Sequence, residues 1–534
     1  MNISITKLLG AKAHIEGEEQ SRPQMGKEHK ILKYAARYWI MILEEPLKKI
    51  VKLKNYIDGE WADSQSDQIL DVVNPATCEP MGKVPLSTRA EVWRAVEAAQ
   101  EAFEDWRDTP PVTRARYLFR LKGLMEDNFE FLSRVQTMEH GKTIDESRGE
   151  TRRGIENVEV ACGTPSLMMG YNLEDIATGI DEQLIRQPLG VFCTLPAFNF
   201  PFMIPLWFMP YAVATGNTFI IKPSPRDPIS QEKLCDLVDR AGFPPGVVNV
   251  VHGGAEVASV LLDHPDVKGV SFVGSTNVGK DVYQRCGEAG KRVIAQCGAK
   301  NFLVIAEDAP LDKTIPALMS SFFGNTGQRC LSGANAIVMG KDEFYDRFIS
   351  AFIDVASRIR VGYGLDESVQ MGPLQSKESK ERVLGYIEKG VEEGAKLRLD
   401  GRKIKIVGDY PDTCFLNPAV FEGVTPDMTI GREEVFGPVA SIMRAGNMDE
   451  ALDMIHDNPY GNASCIFTSS GKLAREFQRR VRAGNVGINI GIAAPMAFFP
   501  FGGMKDSFFG VLHGQGREAV RFFTESKVVI QRWF

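Results

Sequence analysis

The sequence has few histidines, no closely spaced cysteine pairs and no long hydrophobic run. Its nine cysteines are scattered without a Cys-x-x-Cys pair, which argues against both a disulfide framework and a zinc site. None of the seven histidines lies in a His-Glu-x-x-His arrangement, so we expect no metal. The longest apolar run near the start, residues 38–43, is far too short to cross a membrane, and no signal or transit pattern is evident. These features predict a cytoplasmic protein without a membrane partner.

The charge balance lacks the excess of basic residues that nucleic acid requires. There are 62 Lys and Arg against 69 Asp and Glu, which gives a formal charge of −7. A general nucleic-acid binder would need a basic face, so we expect no nucleic-acid partner. The hydrophobic content of 44% and charged content of 25% are ordinary for a globular chain. Chains of this length usually form about three or four domains.

The first part of the chain predicts helices after an unpatterned extension. Residues 1–53 are rich in Lys and Glu, without a clean strand pattern, and are interpreted as an N-terminal extension. Thr88 and Glu91 form a capping box, and Val92, Val96, Phe103 and Trp106 follow at helical spacing. A second helix is predicted from about residue 114 to 140, where Gly141 ends it.

Short apolar runs between residues 189 and 300 predict a parallel sheet. They begin near Val191, Phe219, Val247, Val270 and Val293, with helical segments between them. Buried strands that alternate with crossover helices form parallel sheets, which bind ligands at the carboxyl ends of their strands. A second alternating set follows from residue 301 to about 489. The tail, residues 517–534, predicts a strand that pairs with the chain's own sheet or with a second subunit.

The segment that ends at Cys330 carries the clearest chemical signal. Phe323-Gly-Asn-Thr-Gly-Gln-Arg-Cys330 contains two glycines and a polar stretch, which predict a loop immediately before the cysteine. A cysteine becomes a good nucleophile where backbone N–H groups or cations stabilise its thiolate, and Arg329 is adjacent. From the residues alone, a buried structural cysteine is an equally good interpretation.

This segment resembles the nucleophile motif of the aldehyde dehydrogenase superfamily. Other motifs of that superfamily follow in order: Pro196-Ala-Phe-Asn199-Phe-Pro201, Lys222-Pro-Ser, Phe272-Val-Gly274-Ser275, Cys297-Gly-Ala-Lys300, Glu433-Glu434-Val-Phe436-Gly-Pro438 and Pro500-Phe-Gly-Gly503. The resemblance covers residues 54–534. Within the superfamily the chain is most similar to the CoA-acylating branch of methylmalonate-semialdehyde dehydrogenases, through Arg153-Gly-Ile-Glu-Asn157, Cys297-Gly-Ala-Lys-Asn301 and Phe508-Phe-Gly510.

The resemblance implies an α/β fold of three parts. A Rossmann-type NAD-binding domain would combine residues 54–177 with 191–300, and an α/β catalytic domain would cover 301–505. A small β oligomerisation arm would combine a hairpin at 178–190 with residues 506–534. A homo-oligomer, either a dimer or a tetramer, is therefore expected.

For catalysis, the resemblance assigns the nucleophile to Cys330. Its thiolate would attack an aldehyde, and the Asn199 side-chain amide and the Cys330 N–H would hold the oxyanion. Loss of one such donor typically costs about 10²–10³ in rate. Without the resemblance, the alternative is that Asn199 is a turn residue between prolines.

Gln296 bears on how the acyl group leaves. Hydrolytic relatives place a general-base glutamate at this position, and an amide cannot take a proton from water near neutral pH. A second acid of those relatives is replaced by the apolar region at Val511 and Leu512. Both differences favour a thiol such as coenzyme A, which needs less help than water. The alternative is that Gln296 is simply a strand-end residue.

Two arginines are candidates for binding a substrate carboxylate. Arg153 aligns with a position that lines the substrate tunnel of relatives, and Arg329 flanks the nucleophile. Two guanidinium groups suit one carboxylate through bidentate bonds. The competing interpretation of Arg153 is a solvated salt bridge on a charged helix. In the resembling branch, the acyl group loses CO2 before transfer to CoA, which gives propionyl-CoA from methylmalonate semialdehyde or acetyl-CoA from malonate semialdehyde.

The cofactor site has no Gly-x-Gly-x-x-Gly motif. Gly274, Ser275 and Val278 lie where a strand leads into a helix, so backbone amides there could meet a pyrophosphate. The resemblance adds residues on both sides of the dinucleotide, namely Phe198, Lys222, Ser224, Glu434 and Phe436. Where some NAD-preferring relatives carry a ribose-binding glutamate, this chain has Pro225 followed by Arg226. An arginine there could meet a 2′-phosphate, so NAD is expected and NADP stays open.

Two rival functions remain. One is a hydrolytic semialdehyde dehydrogenase, for instance on succinate semialdehyde, which would work without CoA and release no CO2. The other is a catalytically silent relative with a binding or structural role, although the presence of Cys330 and Asn199 argues against it.

Overall fold

An eight-stranded sheet organises the first half of the chain in the computed structural model, which describes residues 42–534. Its strands lie in the order Phe508–Gly510, Arg292–Gln296, Val267–Val273, Val191–Leu195, Thr218–Ile221, Val248–Val250, Asn55–Ile57 and Glu60–Ala62. The five central strands are mutually parallel, and the outer ones are antiparallel. The parallel sheet predicted from the apolar runs is therefore confirmed. We call it the first sheet.

A seven-stranded sheet organises the second half. The order is Lys396–Leu399, Ala419–Glu422, Val439–Ala445, Gly333–Met339, Asn301–Ile305, Ala463–Phe467 and Asn485–Ile488. All neighbours are parallel except the first pair. We call it the second sheet. Asn301–Ile305 begins only five residues after the first sheet's Arg292–Gln296 ends, so the short connection carries the chain directly from one sheet to the other.

The chain terminus forms a separate three-stranded antiparallel sheet, called here the arm. Thr524–Arg532 pairs along its whole length with Ile180–Pro188, which pairs in turn with Tyr171–Ala177. The predicted tail strand is thus confirmed, and it pairs within its own chain. The prediction was wrong for the start of the tail, because Gly516–Phe522 is a helix. The hairpin of the arm begins at Tyr171, so the expected boundary at 178 falls in its turn.

Helices cover both sheets and support the site between them. Their bounds are Arg89–Asp108, Pro111–Asp127, Phe129–His140, Ile144–Cys162, Thr164–Leu167, Met203–Leu206, Met209–Thr215, Ile229–Arg240, Ala255–Asp263, Thr276–Glu288, Leu311–Phe323, Asp342–Ala356, Lys377–Glu392, Thr429–Arg432, Met448–Asp457, Gly471–Arg480 and Gly516–Phe522. Short 3-10 turns lie at Gly324–Gly327 and Asp412–Cys414.

Both predicted helical regions are helical, but the second consists of two helices where one was expected. The capping box of Thr88 and Glu91 is present, and the helix it opens buries its predicted apolar face. The single helix expected over 114–140 is two helices, because the chain breaks at Asn128, whose side chain bonds the carbonyl of Leu124. An Asn side chain that satisfies a nearby carbonyl competes with the helical pattern. Gly141 ends the second helix with a φ of 92°, as predicted.

Short strands complete the fold. Val51–Lys52 and Ile69–Val73 flank Pro80–Pro85, Val361–Gly362 pairs with Ile406–Val407, and Tyr460–Gly461 pairs with Met504–Lys505. Most of the predicted N-terminal extension, residues 1–41, lies outside the described residues. Its remainder joins the fold, since Leu53 is buried and the first of these strands lies within it. Among the helices of residues 42–534, none is long and apolar enough to cross a membrane.

Candidate active site

Cys330 lies where two cavities meet. The larger, of about 1030 Å³, opens at the carboxyl ends of the first sheet's strands and reaches across to the second sheet. The smaller, of about 490 Å³, lies against the helix Ile144–Cys162. Phe200, Trp207 and Cys330 line both. We call the larger one the cleft and the smaller one the arginine cavity. Cys330 is partly exposed and lines both cavities, which favours a chemical role over that of a structural cysteine sealed in the core.

A tight turn carries the nucleophile segment into this position. Asn325 and Thr326 both adopt left-handed backbone angles, with φ of 52° and 54°. Gly327 follows with a φ of 71°, and a Cβ there would lie 2.1 Å from the carbonyl oxygen of Gly437. Only glycine permits that close approach. The loop predicted from the two glycines is therefore present, and its left-handed turn fixes the direction in which the chain enters Cys330.

Two asparagine side chains hold the main chain of Cys330. The carbonyl of Cys330 accepts hydrogen bonds from the side-chain amides of Asn301 and Asn462, both at 2.8 Å. Asn301 begins a central strand of the second sheet and Asn462 immediately precedes its neighbour, so the sheet itself fixes this point. Sequence reasoning missed both residues in this role, because each partner is distant in the chain.

The electrostatic surroundings favour the neutral thiol. Burial raises the pKa of the Cys330 thiol to about 12, and the nearby Glu434 carboxylate adds to the effect. Burial also raises the pKa of Glu434 to about 7. A thiolate therefore requires either high pH or a change in these surroundings when ligands bind.

Asn199 lies on the same cleft as Cys330. Its side-chain amide donates to the carbonyl of Gln328 at 2.9 Å, and its own side-chain oxygen is buried without a hydrogen-bond partner in the described chain. An amide NH2 has two donors, so one remains for a ligand. Asn199 thus lies in a loop on the wall of the cleft that Cys330 also lines.

The cleft brings together most of the residues predicted for a dinucleotide. Its lining includes Phe198, Ser224, Gly274, Ser275, Glu434 and Phe436, together with Pro225 and Arg226. Phe198 and Phe436 meet edge to face at 5.9 Å, and the Arg226 guanidinium lies over Phe198 at 5.2 Å. Ser275 precedes the helix Thr276–Glu288, whose N-terminus receives no side-chain cap from the described residues. An open helix N-terminus favours an anion.

Two predicted cofactor residues lie off the cleft. Lys222 is buried and donates to the carbonyls of Pro223 and Gly253, at 3.0 and 2.8 Å. Burial lowers its pKa to about 8. Val278 lies in the first turn of the helix Thr276–Glu288 and is half exposed, but it does not line the cleft. The sequence pattern could not separate these residues from Ser275, because all of them flank strand ends.

Gln296 lines neither cavity. It is the last residue of its strand, and its amide donates to the carbonyl of Phe501 at 3.1 Å. Its side-chain oxygen is buried and has no hydrogen-bond partner among the described residues. The strand end therefore offers an amide, and not a carboxylate, next to Cys297 and Gly298 on the wall of the cleft.

Arg153 and Arg329 both line the arginine cavity, but they are held differently. Arg329 pairs with Glu146 at 3.1 Å, and both side chains are 14% exposed. Arg153 has a longer contact with Glu156, at 3.4 Å, and otherwise faces the carbonyl of Ala494 and the sulfur of Met496. Arg152, one residue earlier, points away and pairs with Glu126. Arg153 is therefore the guanidinium more available to a ligand carboxylate.

The described residues contain further cleft residues that the sequence did not reveal. Thr276, Arg382 and Tyr460 also line the cleft, from segments that connect strands of the first and second sheets. Arg382 donates to the carbonyl of Val435 at 2.6 Å, beside Glu434. Between residues 42 and 534, no three His, Cys, Asp or Glu side chains come together in a metal-binding arrangement.

Comparison with known proteins agrees with the fold. The aldehyde dehydrogenase family model matches residues 61–529. A malonate-semialdehyde dehydrogenase of Bacillus velezensis is 46% identical over 487 residues, 91% of this chain and 99% of that protein. Two solved structures superpose with a TM-score of 0.89 at 40% identity, each covering 91% of this chain and 99% of the other. They are a putative methylmalonate-semialdehyde dehydrogenase from Sinorhizobium meliloti complexed with NAD and a methylmalonate-semialdehyde dehydrogenase from Oceanimonas doudoroffii. The chain therefore belongs to the aldehyde dehydrogenase family.

Proposed function

We propose that this protein is an NAD-dependent, CoA-acylating dehydrogenase of malonate and methylmalonate semialdehyde. The observation that carries the proposal is the position of Cys330 between a nucleotide-sized cleft and a small cavity lined by two arginines. One cavity would hold the oxidant and the other the carboxylate end of the substrate. The names of the similar proteins agree with this substrate class.

The cleft fits a nicotinamide dinucleotide. The uncapped helix that Ser275 precedes suits the pyrophosphate, while Ser224 and Arg226 are proposed at the adenosine ribose. Phe198, Glu434 and Phe436 are proposed on the nicotinamide side. Bound there, the dinucleotide supplies the hydride acceptor.

In the first half of the reaction, Cys330 would attack the aldehyde carbon. The Cys330 thiolate forms the bond, and the carbonyl oxygen becomes an oxyanion that the Asn199 amide and the Cys330 N–H hold. Such donors act on the charge that develops in the transition state. With a dinucleotide bound in the cleft to accept the hydride, the acyl group would remain on Cys330 as a thioester. Arg153 holds the carboxylate meanwhile, with Arg329 at its side.

In the second half, the acyl group would pass to coenzyme A. The carboxyl group leaves as CO2, and the carbon it leaves takes up a proton. The CoA thiol then attacks the thioester, the bond to Cys330 breaks, and the acyl-CoA departs. We expect water to be a poor competitor, because the strand end behind the wall of the cleft carries the Gln296 amide in place of a carboxylate that could act as a general base.

One assay tests the proposal directly. NADH and CO2 are measured after mixing the enzyme with malonate semialdehyde, with and without CoA. We expect one equivalent of NADH in a burst that stalls without CoA, and sustained NADH and CO2 with it. Sustained turnover without CoA would instead identify a hydrolytic enzyme. No NADH under any condition, with an intact Cys330 thiol, would identify a catalytically silent protein.

The hydrolytic alternative has one structural feature in its favour. Glu434 is a carboxyl group of the cleft with a pKa of about 7, which is the range required of a general base. Its Oε1 already accepts a hydrogen bond from the Ala299 N–H at 3.0 Å.

A separate variant, Gln296→Glu, tests the position at which hydrolytic relatives carry their general base. If CoA dependence derives from this position, the variant should gain turnover in the absence of CoA.

We also propose that the arm joins copies of this chain in a homo-oligomer, either a dimer or a tetramer. Its strands expose several large apolar side chains, including Tyr171, Leu173, Ile176, Val528 and Ile530. Exposed apolar surface of this kind favours association. Light scattering should show a particle of at least twice the 59.2 kDa chain mass. A monomer with full activity would refute the proposal.

A further inference from the structure

A buried ion pair lies directly behind the loop that carries Asn199. Lys142 and Glu150 have no exposed side-chain surface, and the Lys142 ammonium lies 2.6 Å from Glu150 Oε2. Lys142 lies just after the end of the helix Phe129–His140, and Glu150 lies in the next helix, Ile144–Cys162. The proposed chemistry assigns no role to either residue. A fully buried ion pair rarely adds net stability, because both charges lose their hydration. Its presence therefore requires another explanation.

Lys142 directs all of its polar contacts at this site. Besides Glu150, its ammonium donates to the carbonyl of Asn199 at 2.6 Å and lies 4.3 Å from the ring centre of Phe200. An ammonium has three N–H donors, so these three contacts account for all of them. The main-chain oxygen of Asn199 thus accepts a charge-assisted bond, which is shorter and stronger than a neutral one.

Glu150 holds the other end of the same loop. Its Oε1 accepts hydrogen bonds from the N–H groups of Phe202 and Met203, at 2.9 and 3.1 Å. Residues 199–202 precede the short helix Met203–Leu206 and form no strand or helix of their own. Two linked charges therefore fix this segment at both ends.

We propose that Lys142 and Glu150 are positioning residues for the oxyanion donor of Asn199. This inference rests on the proposed function, because it concerns the acylation step at Cys330. Lys142 fixes the Asn199 main chain, and Glu150 fixes both the following turn and Lys142. The Asn199 side chain is then held on the wall of the cleft that Cys330 also lines, without having to reorder during the reaction. Preorganisation of this kind is the main source of oxyanion stabilisation.

The experiment compares burst kinetics in four proteins: wild type, Lys142→Met with Glu150→Gln, Asn199→Ala, and the three changes together. The pair is replaced as a unit because Lys142→Met alone would leave a buried, unpaired carboxylate and could prevent folding. After the Glu150→Gln change, the side-chain amide oxygen can still accept the two loop N–H groups. Arg292→Met serves as the control, since Arg292 also donates to main-chain carbonyls but does so beside the arm.

We expect the pair variant to fold and to bind NAD as wild type does. Its NADH burst rate constant should fall about 10- to 100-fold, while the KM for the semialdehyde changes less than about twofold, since the loss is confined to the transition state. In the Asn199→Ala background the same pair replacement should cost less than about twofold, because the donor it positions is absent. Arg292→Met should keep the wild-type burst.

Two results would overturn the proposal. One is a folded pair variant with the wild-type burst rate. The other is a full loss from the pair replacement in the Asn199→Ala background, which would show that the pair acts on something else. If wild type itself gives no burst, the proposed function falls as well, whereas a normal wild-type burst confines the failure to this inference.

Discussion

The cleft and the arginine cavity meet around Cys330, yet they are built in different ways. The cleft takes its lining from strand ends and loops of both sheets, and its aromatic and polar residues come from many separate segments. The arginine cavity depends largely on one helix, Ile144–Cys162, together with a loop around 492–501. Residues from both sheets would therefore contact a ligand in the cleft, whereas one face of a single helix would contact a ligand in the arginine cavity. Substitutions should accordingly affect one ligand without the other, except at Phe200, Trp207 and Cys330, which line both cavities.

The largest effect should come from Cys330→Ala, because Cys330 is the proposed nucleophile and lines both cavities. Loss of the nucleophile should reduce NADH formation by at least about 10⁴-fold, since no other group can form the thioester. NAD binding, measured by fluorescence titration, should persist. Cys297→Ala is the matched control, because Cys297 also lines the cleft and should be dispensable. Retained turnover in Cys330→Ala would remove the nucleophile assignment.

Arg153→Met should separate the cavity from the cleft. We expect kcat/KM for malonate semialdehyde to fall about 10- to 100-fold, since a charged hydrogen bond to the carboxylate is lost. Propanal has no carboxylate, so its kcat/KM should change little, and the Kd for NAD should not change. Arg152→Met is the matched control and should leave kcat/KM for both aldehydes nearly unchanged, because the Arg152 guanidinium pairs with Glu126 of the helix Pro111–Asp127. Equal losses with both aldehydes would contradict the carboxylate role.

Arg226→Ala should weaken the binding of NADP in the cleft, with little effect on NAD and none on the arginine cavity. The KM for NADP should rise about tenfold, because a guanidinium opposite the 2′-phosphate is lost, while the KM for NAD should change less than about twofold. Pro225→Glu gives the converse test, since a carboxylate there should repel the phosphate. A wild-type protein that cannot reduce NADP would show that Arg226 has no such partner.

The smallest effect concerns the charge of Glu434 on the nucleophile. The ionised carboxylate raises the pKa of the Cys330 thiol, and the pKa of Glu434 itself is about 7, so the repulsion grows as pH rises past neutrality. Glu434→Gln removes it and lowers the thiol pKa. Alkylation of the ligand-free protein by iodoacetamide at pH 8 should therefore be about three- to tenfold faster in the variant. In wild type the rate should still rise up to pH 10. A slower variant would reverse the sign of this effect.

The sequence predicted those parts of the molecule whose signals are local. The strands of the first sheet, the capping box at Thr88 and the turn before Cys330 each follow from a few adjacent residues. The break at Asn128 was missed, because one side-chain hydrogen bond decides it and apolar spacing continues through it.

Contacts between distant residues escaped sequence reasoning. Lys142 and Glu150 appeared as ordinary charges of a polar stretch, although both are fully buried. Asn301 and Asn462 reach the Cys330 carbonyl from 29 and 132 residues away. Likewise, the pattern placed Arg329 beside the nucleophile but could not show that Glu146 already pairs with it. Such roles depend on how the two sheets are brought together, which no short motif records.

The helix Ile144–Cys162 presents Glu146, Glu150, Arg153 and Asn157 at intervals of three and four residues, so that one face serves the nucleophile turn, the Asn199 loop and the arginine cavity. Each residue of an α-helix is rotated by about 100° from the one before it. A single inserted or deleted residue after Ile144 would therefore turn this face away from all three at once. Laboratory evolution toward other aldehydes can therefore substitute side chains along this helix, but it cannot insert or delete residues there without loss of all three sets of contacts.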